Sequence, residues 1–363
     1  MFQSLVRIVA GVMALWIVHF LYGQRVMLFP EYPQAKGVSA PFAGFIGDRL
    51  VVAGGCNFPD VPAADGGKKM FYDTVYSVDV LSQDIQWRFL SKLPFPVAYG
   101  ATAATEAGLI CIGGQNENGA LNDVFLLKSD GKIMNLPSLP VSMDNGGAAV
   151  CGTMIYVTGG NQSDGGKGLY ALDLSLPTAW RRLPDYPGHL RIQPVVLASS
   201  NALFLVGGYA FDAAKKQCLL ATDILKYDIN AGMWSKIVEL VPEKDGSRRC
   251  MVGGSGVVMD SCLIFTGGVN YSVFKRALEG NAPEDYMKKA IEWYQFNDDI
   301  LIYNWIDNNW KVIADVGGMA RAGGVLLVHD NILYMVCGEL KPGIRSSSIT
   351  RYSLMDLINK SDL

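Results

Sequence analysis

Six stretches of this chain carry an apolar run of strand length that stops on a glycine pair or its remnant: RLVVAGG, GLICIGG, TMIYVTGG, NALFLVGG, SCLIFTGG and NILYMVCG. The endings fall at Gly54/Gly55, Gly113/Gly114, Gly159/Gly160, Gly207/Gly208, Gly267/Gly268 and Cys337/Gly338, spaced 46 to 70 residues apart. A small-residue apolar strand precedes each run, as Asn145 to Val150 precedes Thr153 to Gly160. A loop follows, then an aromatic on a third strand (Tyr76, Phe125, Tyr170, Tyr227, Tyr303, Tyr352), then usually a Trp (Trp87, Trp180, Trp234, Trp310). Each unit therefore predicts four antiparallel strands, and a recurrence near fifty residues predicts kelch-type blades. The fold expected is all-β, a six-bladed kelch-type β-propeller in one domain.

The last unit runs out of chain before its fourth strand. MLFPEYPQ at Met27 to Gln34 matches RRLPDYPG at Arg181 to Gly188, the outer strand of a mid-chain blade. An N-terminal strand completing the C-terminal blade closes the ring and removes exposed sheet edges. Ahead of it, Ile8 to Leu21 is apolar apart from His19, and these fourteen residues are short for a bilayer core and suited to a secretory signal. Residues 1–23 are read as the signal peptide, with cleavage near Gly23, and 24–363 as the propeller. An uncleaved anchor is the alternative.

Strand alternation brings the loops after the glycine pairs and those before each first strand to one face around the axis. Loop length varies on that face: from the doublet to the third-strand aromatic the gaps are 21, 11, 10, 19, 35 and 14 residues. The longest insertion, 271–299, contains a helix-like stretch from Pro283 to Tyr294 with Tyr286, Ala290 and Tyr294 on one side. It either packs on its own blade or lids the channel, and the two are compatible. The same face carries GELKPGIR, Gly338 to Arg345, where a Pro342–Gly343 turn brings Glu339, Lys341 and Arg345 together. A carboxylate beside cations stays ionised and can act as a base, and an arginine can clamp a carboxylate. A salt-bridged surface loop is the plain alternative.

Composition removes several classes. Seven cysteines, an odd number scattered through core strands without CxxC, read as small buried hydrophobes, so neither a disulfide framework nor zinc is expected. Beyond the leader only His189 and His329 remain, the second in a hairpin turn expected to face solvent, which leaves little for a Ser-His-Asp triad or a histidine metal centre. A formal charge of −3 without a basic run argues against nucleic acid. Carboxylate acid–base chemistry or binding remains, with no metal and no cofactor expected.

The GELKPGIR segment closely resembles the signature of bacterial N-acetylneuraminate epimerases, the sialic acid mutarotases, which are six-bladed kelch propellers exported to the periplasm. The resemblance extends to TGGVNYSVF (Thr266 to Phe274), LRIQP (Leu190 to Pro194) and AYG (Ala98 to Gly100). GELKPGIR lies in the last blade here and mid-chain in the enterobacterial members, so this chain looks like a cyclically permuted relative. The resemblance implies interconversion of the α- and β-anomers of N-acetylneuraminate, a small sugar acid, by ring opening in the periplasm; the signal read at the N-terminus implies no stable membrane association after its cleavage. It makes Glu339 the proton acceptor and Arg345, the arginine that closes the motif, the partner of the substrate carboxylate or of the charge developing on oxygen. Lys341 and Arg191 are further cation candidates and Asn270 a hydrogen-bond partner for the sugar. From the residues alone, Arg191 could equally cap a neighbouring loop and Asn270 its own turn. A non-enzymatic carbohydrate- or protein-binding propeller and a mutarotase for another acidic sugar remain the alternatives.

Overall fold

The computed structural model describes residues 29–360. The expected leader, 1–23, lies outside them, as does the start of the expected closing strand. Six antiparallel sheets form the blades of a propeller, five of them four-stranded. Blade 3 shows the pattern in Met143–Cys151, Met154–Gln162, Leu169–Asp173 and Arg181–Leu183, each strand paired to the next. The first strands of the blades, such as Phe42–Ile46 and Val195–Ser199, line the axis. The core lies between blades: Ile110 and Val124 of blade 2 pack with Ile155 and Tyr170 of blade 3.

The glycine pairs have positive φ at both residues in every blade, and in blade 6 Cys337 (φ 54°) takes the first place. At Gly160 a Cβ would sit 2.3 Å from the Asp144 carbonyl oxygen, so the close approach to the first strand requires glycine. A second set of positive-φ residues, one per blade, stands at or just before the start of the first strands: Ala40, Tyr99, Asn145, Gln193, Gly253 and Gly323. Each donates its N–H to the carbonyl of its counterpart in the preceding blade. Tyr99 bonds to Ala40 (3.0 Å), Asn145 to Tyr99 (2.8 Å), Gln193 to Asn145 (2.8 Å), Gly253 to Gln193 (3.1 Å) and Gly323 to Gly253 (2.8 Å). Ala40 N–H on the Gly323 carbonyl (2.7 Å) closes the circle. This belt of six backbone hydrogen bonds joins the last blade to the first and satisfies main-chain groups at the channel mouth.

Blade 6 has three paired strands among the described residues, Val325–His329, Ile332–Val336 and Ile349–Ser353. The closing strand expected over Met27 to Gln34 is not formed by Phe29 to Gln34. The reason is visible in blade 3, whose outer strand ends at Leu183 because Pro184 has no N–H for a ladder; the matching residues here are 27–29. The junction that follows is shared. Trp87 Nε1 donates to the Pro30 carbonyl (2.9 Å), as Trp234 donates to Pro184 (2.9 Å) and Trp180 to Pro137 (2.7 Å). Tyr32, the counterpart of Tyr186, is buried between blades 6 and 1, and its N–H reaches the Ser347 carbonyl (2.8 Å). His329 departs from its expected solvent-facing turn: it stacks on Phe45 of blade 1 (4.5 Å), with Nε2 3.1 Å from Asp48. All seven cysteines are free.

The long insertion also differs from its expected form. Pro283 to Tyr294 is not one helix but two 3-10 turns, Tyr286–Lys288 and Ile291–Tyr294, separated by extended backbone at Lys289 (ψ 153°) and Ala290 (ψ 159°). Tyr286 and Tyr294 still meet, with ring centroids 5.3 Å apart. The insertion's α-helix is Tyr271–Leu278.

Candidate active site

In five blades the residue after the glycine pair pairs through its backbone with the residue before the belt position: Cys56 with Ser39, Gln115 with Ala98, Asn161 with Asp144, Tyr209 with Ile192, and Glu339 with Ala322; in blade 5 the Val269 N–H donates to the Val252 carbonyl (3.0 Å). Each blade thus presents two positions at the mouth, one on the belt and one beside it. In the middle they border a cavity of about 770 Å³ whose polar lining includes Tyr99, Asn145, Gln193, Asn270 and Glu339. Phe274, Tyr286, Tyr294 and Phe296 of the insertion line it too, so the insertion roofs the mouth. Below the belt the lining turns to small apolar residues of the first strands, among them Ala103, Ala198 and Val258.

Glu339 opens a two-stranded ribbon, Glu339–Lys341 with Ile344–Arg345, turned at Pro342 and Gly343. Glu339 and Arg345 are opposite each other in the ribbon. Arg345 Nη1 donates to Glu339 Oε1 (2.8 Å), and the Gly343 N–H donates to the same oxygen (2.6 Å). Oε2 has no hydrogen-bond partner among the described residues, and the residue borders the cavity. Desolvation raises the Glu339 pKa above the usual glutamate value, while Arg345 and the Gly343 N–H pull it back. The Arg345 side chain is only 4% exposed and its guanidinium lies 5.0 Å from the Phe58 ring centroid, behind the carboxylate. Burial is the largest single effect and opposes its charge, but Glu339, Tyr99 and Cys56 together outweigh it and the guanidinium pKa rises.

The other predicted residues go elsewhere. Lys341 does not join Glu339 and Arg345; its ammonium donates to the Lys289 and Met287 carbonyls and lies 5.8 Å from the Tyr294 ring centroid, strapping the roof to the ribbon. Arg191 is buried inside blade 4, with Nη2 2.6 Å from Asp223 Oδ1 and Nη1 donating to the Gly207 carbonyl (3.1 Å). That is the loop-capping alternative, and Arg249 repeats it in blade 5 with Asp299 (2.7 Å). Asn270 borders the cavity, but its side-chain oxygen caps the helix, accepting from the Ser272 (3.0 Å) and Val273 (3.1 Å) N–H groups.

Sequence reasoning gave no site role to Tyr99, Lys69, Asn145 or Gln193, although Tyr99 and Gln193 lie in the AYG and LRIQP segments. The Lys69 ammonium donates to the Tyr99 hydroxyl (3.2 Å), and Gln193 Nε2 donates to Asn145 Oδ1 (2.9 Å). A signal was present: Gly253, Gly323 and Asn145 occupy the belt position in three blades, and these residue types mark left-handed backbone.

The profile of the N-acetylneuraminate epimerase family matches residues 24–136 and 136–360. The N-acetylneuraminate epimerase of Haemophilus influenzae (strain PittEE) is 32% identical over 224 residues, 58% of this chain and 57% of the relative. That of Salmonella typhi is 28% identical over 238 residues, 62% of this chain and 60% of the relative. The chain thus matches 57% and 60% of the length of these relatives. Among solved structures, that of YjhT aligns with a TM-score of 0.65 over 88% of this chain and 95% of that one, at 18% identity, which speaks to the fold alone.

Proposed function

Since the chain belongs to the N-acetylneuraminate epimerase family, we propose that it interconverts the α- and β-anomers of N-acetylneuraminate by general acid–base ring opening at the channel mouth. The observation that carries this reading is Glu339, a carboxylate with one oxygen fixed by Arg345 and Gly343 and the other without a partner among the described residues, at a cavity of about 770 Å³. Glu339 takes the proton of the anomeric hydroxyl as the ring C–O bond breaks, and returns it when the ring closes on the other face. Arg345 orients that carboxylate and keeps it ionised from behind. The match in two segments supports a permuted blade order, and the apolar N-terminal stretch supports export to the periplasm.

The test starts from one pure anomer of N-acetylneuraminate and follows the other by NMR, with and without the protein, beside a panel of other acidic and neutral sugars. Catalysed equilibration of the sialic acid is expected. Equilibration of a different sugar acid alone would move the substrate, and the buffer rate throughout would leave a binding propeller.

A further inference from the structure

The proposed reaction needs a second proton-transfer group, because the ring oxygen must gain a proton as Glu339 removes one from the anomeric hydroxyl. We infer that Tyr99 is that group, the catalytic residue that protonates the ring oxygen; this rests on the reading above.

Tyr99 borders the same cavity as Glu339. It occupies a belt position with φ 61°, a conformation disfavoured for a bulky side chain, and its N–H and carbonyl are both held by belt hydrogen bonds. Strained backbone of this kind persists where the surroundings over-determine it and clusters at functional sites. The counterparts at the other belt positions are Ala40, Asn145, Gln193, Gly253 and Gly323, so one blade of six carries a phenol there.

The hydroxyl is surrounded for proton donation. The Lys69 ammonium lies 3.2 Å from it and 4.9 Å from the ring centroid, ready to stabilise the phenolate left behind. The Cys56 thiol faces it at 3.4 Å, and it feels the charges of Glu339 and Arg345. Desolvation, with Cys56 adding to it, raises its pKa well above the usual tyrosine value, so the hydroxyl keeps its proton wherever an ordinary tyrosine does.

The proton count closes. Glu339 gains the anomeric hydroxyl proton, the ring C–O bond breaks, the carbonyl forms, and Tyr99 gives its proton to the ring oxygen. After rotation about the bond to the carbonyl carbon, the freed hydroxyl attacks the other face. Its proton returns to the Tyr99 phenolate, and Glu339 protonates the carbonyl oxygen.

The experiment compares wild type, Tyr99→Phe and a protein carrying 3,5-difluorotyrosine at position 99, by NMR anomer exchange across pH, with melting temperatures. Tyr99→Phe is expected to lower kcat by ~10²- to 10⁴-fold with KM and melting temperature little changed. The fluorinated residue is expected to retain activity and move the alkaline limb of kcat to lower pH, which a merely structural tyrosine would not do. Wild-type turnover in Tyr99→Phe, or an alkaline limb unmoved by fluorination, overturns the assignment while leaving the mutarotase reading intact. A wild type that runs at the buffer rate overturns both.

Discussion

Blades 4 and 6 each bury an arginine against a carboxylate, and the two pairs are nearly alike up close. Arg191 meets Asp223 at 2.6 Å and Arg345 meets Glu339 at 2.8 Å, with the arginine side chains 5% and 4% exposed. They differ in place. Asp223 begins the third strand of its blade, Asp223–Asp228, away from the axis, and its second oxygen faces Lys236 at 3.9 Å. Glu339 follows the glycine remnant, beside the belt, and its second oxygen has no partner among the described residues. A buried ion pair therefore says little about function; its distance from the axis and the free valence of its carboxylate say more.

The sharpest way to break the comparison is Glu339→Gln. It keeps shape and most hydrogen bonding but removes the base, so anomer exchange is expected to fall ~10²- to 10⁴-fold with folding retained. Wild-type exchange would remove Glu339 from the mechanism. The mirror experiment is Arg191→Met, which leaves Asp223 buried without its cation. Chemical denaturation is expected to show a loss of ~3–5 kcal/mol, with turnover per folded molecule unchanged. Lost turnover at full stability would return Arg191 to the site.

Next in size is Arg345. Replacement by Lys keeps the charge and loses the planar fork, so kcat is expected to fall about 10- to 100-fold, the range of one charged hydrogen bond. Replacement by Met is expected also to move the acid limb of the pH profile. Glu339 accepts a proton only when ionised, so turnover falls as pH drops through its pKa, already above 4.5, and losing the cation pushes that limb higher. The same raised pKa means the folded state holds this proton more tightly than the unfolded chain does. The Glu339 contribution to stability thus declines as pH climbs from about 4.5 through the folded value. An acid limb unmoved in Arg345→Met would show that the arginine does not tune Glu339. Smallest is Lys341→Met, which frees the roof from the ribbon: KM is expected to rise less than about tenfold with kcat unchanged.

The blades were legible in the sequence because each repeats the same local demand. An inner strand must end where only left-handed, side-chain-free backbone fits, and glycine pairs record that need directly. The convergence of post-glycine loops on one face was legible too, since it follows from strand alternation. Within GELKPGIR the Glu339–Arg345 pairing could be read from the turn at Pro342–Gly343, being a contact between residues only six positions apart.

What only the tertiary structure decided are contacts between segments far apart in the chain, most of them between blades, which no local pattern encodes. Lys341 turns away to a roof more than fifty residues upstream. Arg191 finds an aspartate 32 residues downstream, and Lys69 finds Tyr99 across an insertion 30 residues away. The insertion's helical period was real, yet extended backbone at Lys289 and Ala290 broke it into turns that fit over the mouth. The sequence by itself determined the number of blades and the face on which the candidate site lies, because periodicity and glycine placement are local properties of the backbone. Which side chains meet at the axis was left to the closing of the ring, because the belt of six hydrogen bonds sets that spacing only once all six blades are in place.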